Sequence, residues 1–317
     1  MTRLSNIARI TVATLVLGVL AALLPAPGQP AAAAPGLIRV LIIDGISNHD
    51  WQRTTTLVRG ILKPTNLFDV SVFTAPVKLD DATYNTWCPD FSKYDVVLMN
   101  YNNNGQKVTW NPTVRAAFEQ FVQNGGGAFI LHSANNAFPD WDAYNHIIGL
   151  GWRKKEYGTA IQIAPDESLI RIPPGQGGGS SHQPRQDRLI HRLGDDPIHA
   201  GMPRTWMTPL IEVYNYTRGP AENMTVESWA EDPKTQVHWP IEWTVSYGKG
   251  RVYCSSFGHV WRNDPKDPDA VDFRCADFQT IMVRALQWLA QRPVTYPIPS
   301  DFPSATATSL RALPTFP

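Results

Sequence analysis

The chain has 317 residues, with 28 Lys+Arg against 28 Asp+Glu, so its formal net charge is +0 at pH 7. That length can bury a substantial core in one large α/β domain or two smaller ones. The charge balance gives no electrostatic reason to expect nucleic acid or an anionic membrane as partner.

Residues 1–33 read as a cleavable targeting segment. Arg3 and Arg9 precede an apolar run from Ile10 to Leu24, and Pro25 leads into "GQPAAAAPG", where Ala31 and Ala33 suit the small-residue positions. The run is shorter than the roughly 20 apolar residues that span a bilayer. Removal, a mature chain from near Ala34, and a secreted or periplasmic protein without a membrane anchor are therefore expected. Export permits disulfides, but Cys88, Cys254 and Cys275 allow at most one pair within the chain. Cys254 lies in the apolar "RVYCSSFG" and reads as a buried structural thiol rather than a nucleophile.

"GLIRVLIIDG" (36–45) is a nearly continuous apolar run, as expected of a parallel strand covered on both faces. "WQRTTTLVRGIL" follows with helical spacing of Leu57, Ile61 and Leu62. "FDVSVFT" and "YDVVLMN" read as the second and third strands. Asn111-Pro112 starts a helix with a stripe of Val114, Ala117, Phe118, Phe121 and Val122. In "GGGAFILHSANNAFPDW" (125–141) a fourth strand ends abruptly in His132, Ser133, Asn135 and Asn136. Alternating strands and helices predict an α/β fold whose parallel strands end at one edge. Beyond Trp152 shorter strands take over, in "TAIQIA", "SLIRI", "IEVYNYT", "NMTVESWA" and the hairpin-like "IEWTVSYGKGRVYCSSFG". "PPGQGGGSSHQPRQDR" (173–188) reads as a mobile excursion, "DFQTIMVRALQWLA" as a last helix, and the proline-rich residues 291–317 as a tail that wraps the surface or is loosely ordered.

Three histidines follow strands: His49 in "DGISNHDW", His132, and His259 in "SSFGHVW". Ligands of open α/β sheets bind beyond the carboxyl ends of the strands, so the three are expected to face one crevice. Asp44, Asp50, Asp140 and Glu212 are carboxylates near that edge, available as acid, base or oxygen ligands. The chain has no "HExxH" or "HxH", so a metal site depends on tertiary proximity, with zinc on His49, His132 and His259 as the leading form. A Ser133-His259-carboxylate triad is the weaker alternative, because the bulky His132 stands where a nucleophile elbow needs a small residue. Tyr101 and the amides Asn102, Asn103 and Asn104 follow the third strand and suit a hydroxyl-rich ligand, although an asparagine-rich turn explains them equally. Trp51, Trp141, Trp152 and Arg153 extend this rim. The 11 Trp are mostly expected in the core, yet those among Asn, Asp and His suit sugars.

Together "NHDW", "YDVVLMNYN", "FVQNGGGAFILHSANNAFPDWDAYNHIIGLGWR", "PIHAGMPRTW", "IEVYN", "NMTV" and "YGKGRVYCSSFGH" resemble the ThuA-like, or trehalose-utilisation, family. The resemblance spans about Val40 to Ala290 and is most specific around His132. It implies a flavodoxin-like fold similar to class I glutamine amidotransferases without their cysteine nucleophile, with strands added to it, over a domain of residues 36–290. It also implies a role in the metabolism of trehalose and related or 3-keto sugars, with His49, His132 and His259 at the family's histidine positions and Glu212 at its acidic one. Three departures stand out: Asp196 replaces a histidine in "DDPI", "IEVY" loses an aspartate, and Thr208 sits where a histidine follows Trp206. The expected protein is therefore an exported one acting on a disaccharide or keto-sugar through His132, His259 and Glu212. The pocket is expected to be lined by Asp50, Trp51, Tyr101, Asn102, Asn135, Asn136, Trp141, Trp152 and Arg153. The departures motivate a non-catalytic carbohydrate-binding module as the alternative, and a serine hydrolase or amidotransferase ranks third.

Overall fold

The structure is a computed structural model that describes residues 36–262 and 270–316; the targeting segment expected over residues 1–33 lies outside them. In chain order the first half comprises β1 (Ile38–Asp44), α1 (Trp51–Leu62), β2 (Phe68–Thr74), β3 (Val96–Met99), α2 (Pro112–Gln123), β4 (Gly127–Leu131) and α3 (Asp142–Ile148). The second half adds β5 (Thr159–Ile163), β6 (Leu169–Ile172), β7 (Ser181–His182), β8 (Gln186–Arg192), β9 (Thr205–Ile211), β10 (Tyr214–Asn215) and β11 (Arg218–Gly219). Then come β12 (Met224–Glu231), β13 (His238–Tyr247), β14 (Gly250–Ser255), α4 (Val271–Arg274) and α5 (Ala276–Leu289).

The main sheet runs β2-β1-β3-β4-β14-β13-β12-β8-β9. Pairing is parallel from β2 through β14 and antiparallel from there on. The change of direction has a local cause. Tyr247 pairs with Gly250 across a tight hairpin whose Gly248 has φ 59°, so β13 must run against β14. Because β1 is buried on both faces, its side chains alternate between two cores. Val40 and Ile42 pack with Leu57 and Val58 of α1 and Ile281 and Leu286 of α5. Leu41 and Ile43 pack with Val114, Phe118 and Val122 of α2 and Tyr144 and Ile147 of α3. Asp50 caps α1 through the Arg53 amide, and Asn111 caps α2 through the Val114 amide with Pro112 next to it.

Two stretches are more ordered than their composition suggests. Arg218, fully buried on β11, donates to the carbonyls of Gly158 (3.1 Å), Pro173 (3.1 Å), Gln176 and Gly178 (2.7 Å). One guanidinium thus satisfies the backbone of the glycine-rich excursion that the sequence suggests is mobile. Ser180 continues the seam, its amide donating to the Arg153 carbonyl and its hydroxyl to the Tyr216 carbonyl, and β7 pairs with β10 through His182 and Tyr214. The proline-rich tail is also tied down. Arg284 of α5 donates to the Tyr296 carbonyl at 2.5 Å, Arg311 pairs with Asp301 at 2.6 Å, and Tyr296, Ile298, Phe302 and Leu313 pack on the core. Cys88 and Cys254 are free thiols, Cys254 buried and in contact with the Ile148 carbonyl, and the Cys275 thiol donates to the Val271 carbonyl.

Candidate functional site

β1, β4 and β14 are parallel and near neighbours in the sheet, so their carboxyl ends lie side by side and deliver His49, His132 and His259 to one place. The ring centroids are 4.8 Å apart for His49 and His132, 5.0 Å for His49 and His259, and 5.4 Å for His132 and His259. One nitrogen from each ring lies within 4.8 Å of the others. His132 has φ 45°, a left-handed conformation uncommon outside glycine, at the point where β4 breaks into a 3₁₀ turn. Such strain persists where the surroundings over-determine it and it concentrates at functional sites.

The antiparallel half of the sheet supplies the acid. Glu212, just after β9, places its carboxylate 3.8 Å from His132 Nε2, 3.6 Å from His259 Nε2 and 3.7 Å from His182 Nδ1. The Tyr214 hydroxyl lies 3.1 Å from His132 Nε2. Burial drives His49 and His259 down to about 2 and His132 well below the ordinary imidazole value; the neighbouring rings and Arg185 add to the effect. The imidazoles are therefore neutral near pH 7, and their contacts with Glu212 are those of uncharged rings rather than ion pairs. Burial also raises the Glu212 carboxyl, against the pull of His182 and Arg185.

Outer contacts orient the rings. His132 Nδ1 lies 2.6 Å from the Ser256 carbonyl, which can only accept, so Nδ1 carries the proton and the unprotonated Nε2 accepts from the Tyr214 hydroxyl. His49 Nδ1 lies 2.9 Å from Asn48 Oδ1, which also accepts from Asn102 Nδ2. Asp272 takes the backbone amides of Gly258 and His259 on one oxygen and Arg185 Nη2 on the other, which fixes the third ring's backbone. His259 Nδ1 is buried with no hydrogen-bond partner among the described residues. Three neutral imidazoles beside a carboxylate, with Nδ1 of His132 and of His49 held by oxygen acceptors, match the donor types of a zinc centre and part of its supporting shell. The residues fit that ion.

The cleft over this edge is about 860 Å³, and its wall includes Asn102, Asn136, Trp152, Glu212, His49 and His259 from the sequence reading. It also includes residues that reading passed over. His182 and Arg185 come from the glycine-rich excursion, Tyr214 from "IEVYN", and Trp261 follows His259. The only sequence signal for the first pair was polar and charged side chains inside an otherwise small-residue loop. Several expected rim residues lie elsewhere. Tyr101 and Trp141 are in the α2 and α3 core, Tyr101 stacked on Phe138 at 5.4 Å and Trp141 on Tyr144 at 5.6 Å. Asn135 is buried. Asp50 is the α1 cap, and Trp51 faces a separate shallow depression. Arg153 is buried and donates to Asn145 and to the Asn136 and Ala137 carbonyls, which shape the turn after His132. Ser133 Oγ meets Ser47 Oγ at 3.4 Å rather than an imidazole, so the triad geometry is not formed.

The ThuA family profile, described as trehalose utilisation, matches residues 39–289. The chain belongs to the ThuA family. A ThuA-like protein of Parabacteroides merdae has a crystal structure that superposes with a TM-score of 0.79 at 30% identity, covering 87% of this chain and 98% of that one. Weaker likenesses include a β-galactosidase from Bacillus circulans, with a TM-score of 0.46 at 14% identity over 81% of this chain and 32% of that one. A cytoplasmic protein of Salmonella typhimurium gives 0.43 at 13% identity over 80% and 99%. No curated protein matches the sequence. Membership carries a glutamine amidotransferase-like fold and a function related to trehalose utilisation at the level of the family.

The departures from the family pattern fall outside the cleft. Ile211 is in the core, and Thr208 donates to buried Asp277. Asp196 belongs to a second buried cluster, in which His199 lies 2.8 Å from Asp196 and 3.2 Å from Glu242. Burial pulls His199 down, but its hydrogen bonds to the two carboxylates outweigh this and raise it to about 10. Both ring nitrogens are occupied, so His199 is itself the cation of a network that includes Glu227 beside Asp196 and continues to Ser228 and Tyr253 through Glu242.

Proposed function

We propose that this chain acts on a disaccharide or keto-sugar of the trehalose type in the cleft over His49, His132 and His259, after export by residues 1–33. One observation carries the reading: three neutral imidazoles from three separate strand ends meet beside one buried carboxylate, with Nδ1 of two of them tied to an amide or backbone oxygen. In this reading His49, His132 and His259 would hold a zinc ion, which when bound would supply Lewis-acid polarisation of a substrate oxygen and a lowered pKa for water. Glu212 accepts or returns a proton at its carboxylate, which lies 3.6 Å from His259 Nε2 and 3.8 Å from His132 Nε2 and whose carboxyl burial raises above its ordinary value. The Tyr214 hydroxyl, hydrogen-bonded beside Glu212 and His132, holds that proton path in place. Asn102 and Asn136 donate to and accept from sugar hydroxyls, and the pocket wall limits water around the reacting bond. The basic, apolar and small-residue order of the first 33 residues supports export.

The test is to express the full chain, determine the amino terminus of the exported protein and its zinc content, and screen ordinary and 3-keto disaccharides with wild type, His132→Ala and Glu212→Gln. Turnover that requires both residues and one zinc per chain supports the proposal. Sugar binding without turnover by wild type favours a carbohydrate-binding module on the same fold, and no sugar binding at all refutes the reading.

A further inference from the structure

The aromatic side chains of the cleft form two groups that reach the histidine cluster through different members. Trp152 packs edge-on against Tyr214 at 5.3 Å and lies 5.8 Å from His182, and Tyr214 in turn lies 5.4 Å from His132. Trp261 lies 4.8 Å from His49 and stacks nearly parallel to His259 at 6.1 Å. Trp261 is also 43% exposed, among the larger apolar side chains left open to water, although it lines a cleft. An indole face exposed beside a polar centre costs hydration free energy unless a ligand covers it, and its flat apolar surface matches the C–H face of a pyranose ring. The amides of Asn48 and Asn104 lie on the same wall, within reach of hydroxyls at a ring's edge. The cleft, about 860 Å³, lies toward the upper end of the usual range for small-molecule sites, which is roughly 300–1,000 Å³.

Resting on the proposed action on a sugar, we infer that the cleft has two sugar subsites, Trp152 with Tyr214 forming one and Trp261 the other, so that the linkage between two rings lies over His49, His132 and His259. Trp261 is then the residue that makes the site choose a disaccharide over a monosaccharide. It contributes area, not chemistry: its contact stabilises the second ring and leaves proton transfer to the centre. Trp152 anchors the first ring, and its packing on Tyr214 links that anchor to the hydroxyl beside His132.

The inference is tested on the exported, zinc-loaded protein by calorimetric titration with α,α-trehalose, maltose, cellobiose and their 3-keto forms, each against its monosaccharide. For at least one pair the disaccharide is expected to bind 10-fold or more tightly, Trp261→Ala to bring that ratio close to one, and Trp261→Phe to restore most of it. Circular dichroism checks that the exposed substitution leaves the fold intact. Equal affinity for disaccharides and monosaccharides in wild type, or a ratio unchanged in Trp261→Ala, overturns the two-subsite inference while the action on a sugar stands. If none of these sugars binds, the proposed function fails, and this inference with it.

Discussion

Replacing His199 by Ala removes the cation from the buried Asp196-His199-Glu242 network. In the folded protein the imidazole is completely buried and held at about 10, against 6.5 as the ordinary value. At about 1.4 kcal/mol per pKa unit, that difference corresponds to about 5 kcal/mol favouring the protonated folded state. Breaking a buried pair and leaving its carboxylates uncompensated costs about 3–5 kcal/mol by independent reasoning, so the two routes agree. The sign follows from the raised value. The folded state binds the extra proton, so the contribution is fully present below about pH 6.5, falls as pH rises, and is gone above about 10. Urea unfolding of wild type and His199→Ala, followed by tryptophan fluorescence at pH 6, 8 and 10, measures the gap directly. It is expected to be widest at pH 6, about half as large at pH 8, and least at pH 10. A gap that stays constant or widens over that range would refute the assignment of His199 as an internal imidazolium.

Other outcomes follow from the same geometry. Asn48→Ala removes the acceptor that fixes the His49 tautomer and is expected to weaken zinc binding about 10- to 100-fold by equilibrium dialysis with a competing chelator; unchanged affinity would mean that the ring is oriented by packing. Arg218→Ala strips the glycine-rich excursion of its shared donor, so limited proteolysis is expected to cut within residues 174–181, where wild type resists. Trp141→Ala is expected to lower stability by about 3–5 kcal/mol in denaturant titrations and leave zinc affinity unaltered, because the indole is a core side chain rather than part of the cleft wall. Glu212→Gln keeps the shape of the cleft and removes the base, so sugar affinity is expected to stay within a few-fold while turnover falls about 100-fold or more.

The order of strands and helices in the first half of the domain is legible in the sequence because each signal is local. β1 is a β-branched apolar run bounded by glycine, and α2 starts at Asn111-Pro112 and repeats apolar residues at helical spacing. The strand-end positions of His49, His132 and His259 follow from the same pattern, since parallel strands with right-handed crossovers share one carboxyl edge. Which other residues join them is a matter of chain segments distant in sequence. Trp141 and Tyr101 stand among polar neighbours, as rim residues would, yet they fill the space between α2, α3 and the sheet, because local polarity does not say which way a side chain turns. His182 and Arg185 reach the cleft through partners distant in sequence: Arg218 gathers the carbonyls of the glycine-rich segment before them, β7 pairs with β10 at Tyr214, and Arg185 binds the Leu210 carbonyl and Asp272. The neutrality of the three imidazoles and the positive charge of His199 near neutral pH are likewise decided by burial and partners. The same ring is neutral with an accepting Nε2 at His132 and an internal cation at His199 because Nδ1 of the first meets a carbonyl and both nitrogens of the second meet carboxylates, and only the folded chain brings those oxygens to it.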